Sequence, residues 1–155
     1  MAHHDEISGI ASDWHKAGKG AVLATVVQTW GSAPRPVGSQ LAVSGEGEIM
    51  GSVSGGCVEG AVVAEALDAL EDGRCRILEF GVSDDEAFAV GLACGGTIRV
   101  MVEPVGLGHG PDVALLDRLS SAKADREAIG LETDVETWTR RMVTYTDRPL
   151  SLIHI

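Results

Sequence analysis

AVLATVVQTW, residues 21–30, decides how this chain folds. The run is almost uninterrupted in apolar and β-branched side chains, with no alternation of polar positions. A strand of that kind has to be covered on both faces, so layers are expected above and below a sheet. The next ten residues cannot continue it. In GSAPRPVGSQ (31–40), Gly31, Pro34, Pro36 and Gly38 forbid regular structure and mark a loop. LAVS and EIMGSVS then flank GEGE (45–48), which reads as a hairpin with a strand ending near Val53.

Working outward, EISGIASDWHKAG places Ile7, Ile10, Ala11, Trp14 and Ala17 at helical spacing, with Gly18 as a stop. VEGAVVAEALDALEDG sets Val58, Val62, Ala66 and Leu70 on one face of a central helix that starts around Cys57 and closes at Gly73. CRILEFG is expected to be a strand, SDDEAFAVGLACGG a loop, and TIRVMVEPV a strand ended by Pro104. PDVALLDRLSSAKA predicts a helix with Pro111 in its first turn, and REAIGLETD and RRMVTYTD are expected as strands. The interleaving predicts an α/β fold, a mixed sheet with flanking helices in a single compact domain. There is no internal repeat, although GGC at 55–57 and CGG at 94–96 echo each other.

The 155 residues suffice for one domain with a core. Hydrophobic residues make up 45% and charged ones 23%, an ordinary globular balance. Twelve basic residues face 23 acidic ones, for a formal charge of -11, and no Lys/Arg cluster offsets it; nucleic acid is therefore not an expected partner. No apolar run approaches the roughly 20 residues that span a bilayer. MAHHDEISGI lacks the basic start and apolar core of a signal peptide, so a cytoplasmic location is expected. Cys57, Cys75 and Cys94 are expected as reduced thiols, and without CxxC or HxxxH spacing no closed zinc site is expected.

Chemistry concentrates in three loops beside strands: TWGSAPRPVGS (29–39), SGGCVEG (54–60) and GLACGG (91–96). Ser54, Gly55 and Gly56 lead into a helix whose N-terminal N–H groups carry partial positive charge and attract anions. A thiol in the first turn there, Cys57, should be more acidic than the free value of about 8.5, which suits a soft metal or sulfur. The bland alternative makes Ser54 a helix cap and Cys57 a small core residue. Arg35, fixed between Pro34 and Pro36, presents a planar fork fit for phosphate or carboxylate, or else is an exposed residue of a rigid turn. The remaining candidates carry less. Asp84, Asp85 and Glu86 read as a solvated acidic loop, and His3 and His4 as a mobile terminus. His15 reads as an exposed face residue, His109 and His154 lack an evident partner, and Cys75 reads as inert core.

ATVVQTWGSAPRPVGSQLAV, GSVSGGCVEGAVVAEAL and GLACGGTIRVMVEP, in that order, resemble the N-terminal domain of the XdhC/CoxI family, over about residues 7–105. These are accessory proteins in the maturation of xanthine dehydrogenase and carbon monoxide dehydrogenase. The resemblance implies a domain at 1–105 with residues 106–155 as an extension packed on it. It implies the molybdenum cofactor, an anionic pterin dithiolene phosphate, as bound cargo. It also implies an apo molybdoenzyme of the xanthine dehydrogenase class and a cysteine desulfurase as partners, and a homodimer. Carried over to this chain, the site comprises Ser32, Arg35, Gly38, Ser54, Gly55, Gly56, Cys57, Glu59, Cys94, Gly95 and Gly96, with Cys57 as the metal ligand. Longer members continue into a Rossmann-type domain, which is not expected here; RPLSLIHI reads as the first strand of one or as a closing strand of this domain. The leading expectation is a carrier that protects and delivers the cofactor rather than a turnover enzyme. Two alternatives stand beside it: a sulfur-transfer enzyme with Cys57 as nucleophile and Glu59 or a distant His as base, and a docking module for a dehydrogenase subunit.

Overall fold

The computed structural model describes residues 7–31, 35–55, 58–81 and 96–144. Residues 21–30 form β1 (Ala21–Trp30), the middle strand of a five-stranded sheet. Its companions are β2 (Gln40–Ser44), β3 (Ile49–Gly51), β4 (Arg76–Phe80) and β5 (Thr97–Pro104), in the order β3-β2-β1-β5-β4. The α/β class with flanking helices stands, and all four ladders of this sheet run antiparallel, so the hairpin's pairing extends across it.

The apolar run is explained by what covers each parity. Val22, Ala24 and Val26 pack with Leu41, Val43, Val100 and Val102 beneath Val62, Ala66 and Ala69 of α2 (Glu59–Asp72). Ala21 and Leu23 point the other way, toward Ile7, Ile10 and Ala11 of α1 (Ile7–Lys16) and Leu116 of α3 (Val113–Ala124). Residues of both parities are buried, so a polar side chain at either loses most of its hydration, at a cost of roughly 1–3 kcal/mol if left unbonded. The helix α2 carries the chain from β3 at one sheet edge to β4 at the other.

Local chemistry shifts several expected boundaries. The second hairpin strand stops at Gly51, short of Val53. Gly51 has φ +92, and a Cβ there would collide with the Gln40 carbonyl oxygen, so the chain turns out of the ladder at a residue only glycine fits. The central helix begins at Glu59, not Cys57, with Val58 at its N-cap position and no side-chain cap bond there. It closes as expected, with Gly73 left-handed and its N–H donating to Ala69 O at 2.8 Å. Pro111 precedes α3 instead of lying in its first turn, and Asp112 takes the N-cap position. His15 is half-buried with its ring against Gly106, because the 106–110 turn folds back over α1.

The remaining strands, β6 (Ile129–Thr133) and β7 (Arg140–Thr144), pair as an antiparallel hairpin. A buried bridge ties them to the large sheet: Arg140 donates through Nε at 3.0 Å and Nη2 at 2.5 Å to Glu103 Oε2, and both side chains are 5% exposed. The same guanidinium donates to the His109 and Trp138 carbonyls at 2.7 and 2.9 Å, and the His109 N–H donates to Gly73 O. The glycine-flanked turn around His109 is thus stapled on both sides. On α3, Asp117 accepts from Ser12 Oγ at 2.6 Å and Lys16 Nζ at 2.8 Å, which locks that helix to α1.

Candidate functional site

Strand register brings the sequence's three loops to one end of the sheet. Thr25 pairs with Gln40, Leu41 with Gly51, Trp30 with Thr97, and Phe80 with Ile98. The chain therefore leaves β1, β3 and β4, and enters β2 and β5, at the same end. Gly31, with φ +67, comes close to Gly96; a Cβ at Gly31 would sit 3.6 Å from Gly96 Cα, so the first and third loops touch where they leave the strands. Ser32, Gly56, Cys57, Cys94 and Gly95 lie outside the described residues, as do His3, His4, Asp84, Asp85, Glu86 and His154.

The middle loop is organised by one carboxylate. Glu59, 8% exposed in the first turn of α2, accepts from Ser52 Oγ at 2.8 Å, Val53 N at 3.1 Å and Ser54 N at 3.2 Å, and from the Ser54 hydroxyl. Ser52 Oγ accepts from Gly55 N at 2.8 Å, and Ser54 Oγ accepts from Val58 N at 2.9 Å. Burial by itself would raise the Glu59 carboxyl; the hydroxyls of Ser54 and Ser52 and the amides of Ser54 and Val53 reverse that and bring it to about 2. This arrangement corrects two expectations. The amides of Ser54 and Gly55 are not an open nest, since Glu59 and Ser52 already take them. Nor does Glu59 suit the role of a base for Cys57, because a carboxylate that acidic and that fully engaged is a poor proton acceptor. What Glu59 does is fix the chain at residue 55 and at residue 58, the two sides of Gly56–Cys57.

Arg35 is exposed and has no hydrogen-bond or ion-pair partner among the described residues. A guanidinium in that condition is open to an anionic ligand. A second cation, Arg99, stands at the same end of the sheet, its guanidinium 5.4 Å from the centre of the Trp30 ring and 3.7 Å from Glu79. Gly38 has φ +94, its N–H donates to Val26 O at 2.8 Å, and the position a Cβ would take there is open. Among the described residues no three His, Cys, Asp or Glu side chains group as a metal site. Cys75 is buried, accepts from Arg140 Nη2 at 3.4 Å, and burial pushes its thiol up to about 11.

Sequence reasoning missed a cavity of about 430 Å³ on the α1/α3 face. Its floor is the sheet, at Leu23, Thr25, Gln40, Met101 and Glu103, and α3 and β6 roof it through Leu116, Leu119, Ala122 and Leu131. Gly38 belongs to its lining, so the cavity opens beside the loop that carries Arg35. The available signal was Thr25 in AVLATVVQTW and Glu103 in TIRVMVEP, polar residues inside otherwise apolar strands; both are buried here, at 1% and 3% exposure.

Residues 14–81 match the model of the XdhC and CoxI family. The chain is 38% identical over 131 residues to the molybdenum cofactor insertion chaperone PaoD of Escherichia coli, covering 84% of this chain and 39% of that protein. It is 38% identical over 88 residues to a probable xanthine dehydrogenase subunit of Bacillus subtilis, covering 55% and 26%. The chain thus spans well under half the length of these curated relatives. The fold is similar to that of part of a xanthine dehydrogenase from Bacillus halodurans, with TM-score 0.68 and 21% identity over 89% of this chain and 42% of that one.

Proposed function

We propose that this chain, which matches the XdhC and CoxI family model over residues 14–81, is an accessory protein that binds the molybdenum cofactor, shields it and delivers it to an apo-enzyme of the xanthine dehydrogenase class. The observation that carries the reading is the convergence of the three family loops at one end of the sheet, around a middle loop that Glu59 holds rigid. Holding a labile ligand needs a preorganised loop, so that little ordering remains for the binding step. The name of PaoD supports molybdenum cofactor as the cargo.

In this reading Arg35 meets the phosphate, with Ser32, Gly38 and the glycine-cysteine segments closing around the ligand. Cys57 is the soft group for the molybdenum–sulfur end, with Cys94 of the third loop as a second soft group. The amides of Ser54 and Gly55 are already engaged by Glu59 and Ser52, so they are not the groups that hold the phosphate. Ser54 and Glu59 act by position, not by contact with the ligand. A cysteine desulfurase that sulfurates the cofactor, a homodimeric assembly and a cytoplasmic setting belong to the same proposal. No helix among the described residues is long and apolar enough to cross a membrane.

Transfer is the direct test. The chain is loaded with cofactor, mixed with cofactor-free xanthine dehydrogenase, and recovered dehydrogenase activity is followed. Delivery by the native chain, with loss in Cys57→Ala, is expected. Equal activation by free cofactor with and without the chain would leave no carrier role.

A further inference from the structure

We propose that the cavity between the sheet and α3 seats the ring end of the cargo, as a site for a flat heterocycle that presents two N–H donors and one carbonyl acceptor. The inference rests on the cofactor reading and adds a place and a hydrogen-bond pattern to it.

Register builds the floor. Gln40, Thr25 and Met101 form one cross-strand row, and Ala42, Leu23 and Glu103 form the next row but one on the same face. Three polar side chains thus sit side by side under an apolar roof. Gln40 Nε2 donates to Thr25 Oγ1 at 3.1 Å, which leaves Gln40 Oε1 and the Thr25 hydroxyl hydrogen without partners among the described residues. Both Arg140 bonds to Glu103 end on Oε2, and no donor among the described residues reaches Oε1. Glu103 lines the cavity, and its unbonded Oε1 is not fully enclosed.

A carboxylate oxygen that is 3% exposed by residue and unbonded on one side is costly unless something donates to it. The floor offers two acceptors, Glu103 Oε1 and Gln40 Oε1, and one donor, the Thr25 hydroxyl. A 2-amino-4-oxo pyrimidine ring has the complementary set: a 2-amino group and a ring N–H that donate, and a 4-oxo oxygen that accepts. Leu23 and Met101 below, with Leu116 and Leu119 above, supply apolar surfaces for the ring faces. The volume of about 430 Å³ lies in the range of small-molecule sites. Gly38, from the loop that carries Arg35, and Gln40, where that loop enters β2, line the cavity, so a ligand seated here extends its anionic end toward that loop.

The probes are pterin, which lacks the phosphate and the dithiolene, and lumazine, which has an oxo group in place of the 2-amino donor. Each is titrated into the native chain and into Leu119→Trp, with circular dichroism melts to show that both are folded. Pterin should bind the native chain, lumazine at least about tenfold more weakly, and Leu119→Trp should weaken pterin by a similar factor by filling the space. Equal binding of the two rings, no pterin binding, or indifference to Leu119→Trp in folded protein would overturn the proposal. Intact cofactor is titrated in parallel. If it binds where pterin fails, only the cavity assignment falls; if neither binds, the carrier reading falls with it.

Discussion

Replacing Glu59 by Gln should unfasten the loop that the site is built on. The carboxylate collects two hydroxyl and two amide donors, and its titration drops from the ordinary 4.5 to about 2. A displacement of that size corresponds to roughly 3 kcal/mol of folding stability at neutral pH, trimmed to roughly 2 by residual solvent access. Glutamine keeps one acceptor and turns an NH₂ toward donors, so most of this should be lost. The sign with pH is fixed: a depressed carboxyl stabilises above its unfolded value and stops doing so as pH falls through its folded one. Urea unfolding of native and E59Q protein should therefore differ by about 2 kcal/mol at neutral pH. The difference should shrink between pH 4.5 and about 2, with more than half gone by about pH 3. Other acids titrate in the same window, but they do so in both proteins and cancel. A gap that does not change with pH, or no gap at neutral pH, would refute the argument that the ionised Glu59 holds the loop.

Arg140→Ala strands Glu103 as an uncompensated buried charge and should cost about 3 kcal/mol or more in chemical denaturation, while the double change Arg140→Met with Glu103→Leu should restore much of it. Gly51→Ala forces a Cβ onto the Gln40 carbonyl at a left-handed backbone position; a fall in melting temperature of several degrees is expected, and an unchanged melt would contradict the strand-end geometry. Cys75, buried and pushed up to about 11, should resist iodoacetamide at neutral pH in the native state and react once urea unfolds the chain, as read by peptide mass spectrometry. Arg35→Ala should leave the melt unchanged, because the side chain has no polar partner among the described residues, and should weaken cofactor affinity about tenfold or more.

Much of the fold was legible because periodicity and double burial leave direct marks on sequence. AVLATVVQTW shows a strand with two covered faces, and Val58, Val62 and Ala66 show the face of α2 that covers one of them. Gly73 shows the stop, since only a left-handed residue closes that helix. The hidden parts depend on partners far apart in the chain. Nothing at Arg140 announces that Glu103, 37 residues away, needs it. Glu59 sits within the SGGCVEG motif and read as a ligand contact, and nothing in that motif announces that it accepts from Ser52, Val53 and Ser54. The cavity escaped because Leu23, Gln40, Met101 and Leu119 belong to four elements that only the register and the α1–α3 packing bring together. The three loops could be anticipated as strand ends, but their common end of the sheet follows from the antiparallel register of the strands, which pattern does not show.

The most direct test of the account is the ligand itself. Protein is purified anaerobically from a host that makes the cofactor, and pterin fluorescence and molybdenum content are measured for the native chain, Arg35→Ala and Cys57→Ala. The account predicts near-stoichiometric pterin with molybdenum in the native chain, less pterin in Arg35→Ala, and loss of molybdenum in Cys57→Ala. A folded native chain that carries neither, or variants that carry as much as the native chain, would contradict it.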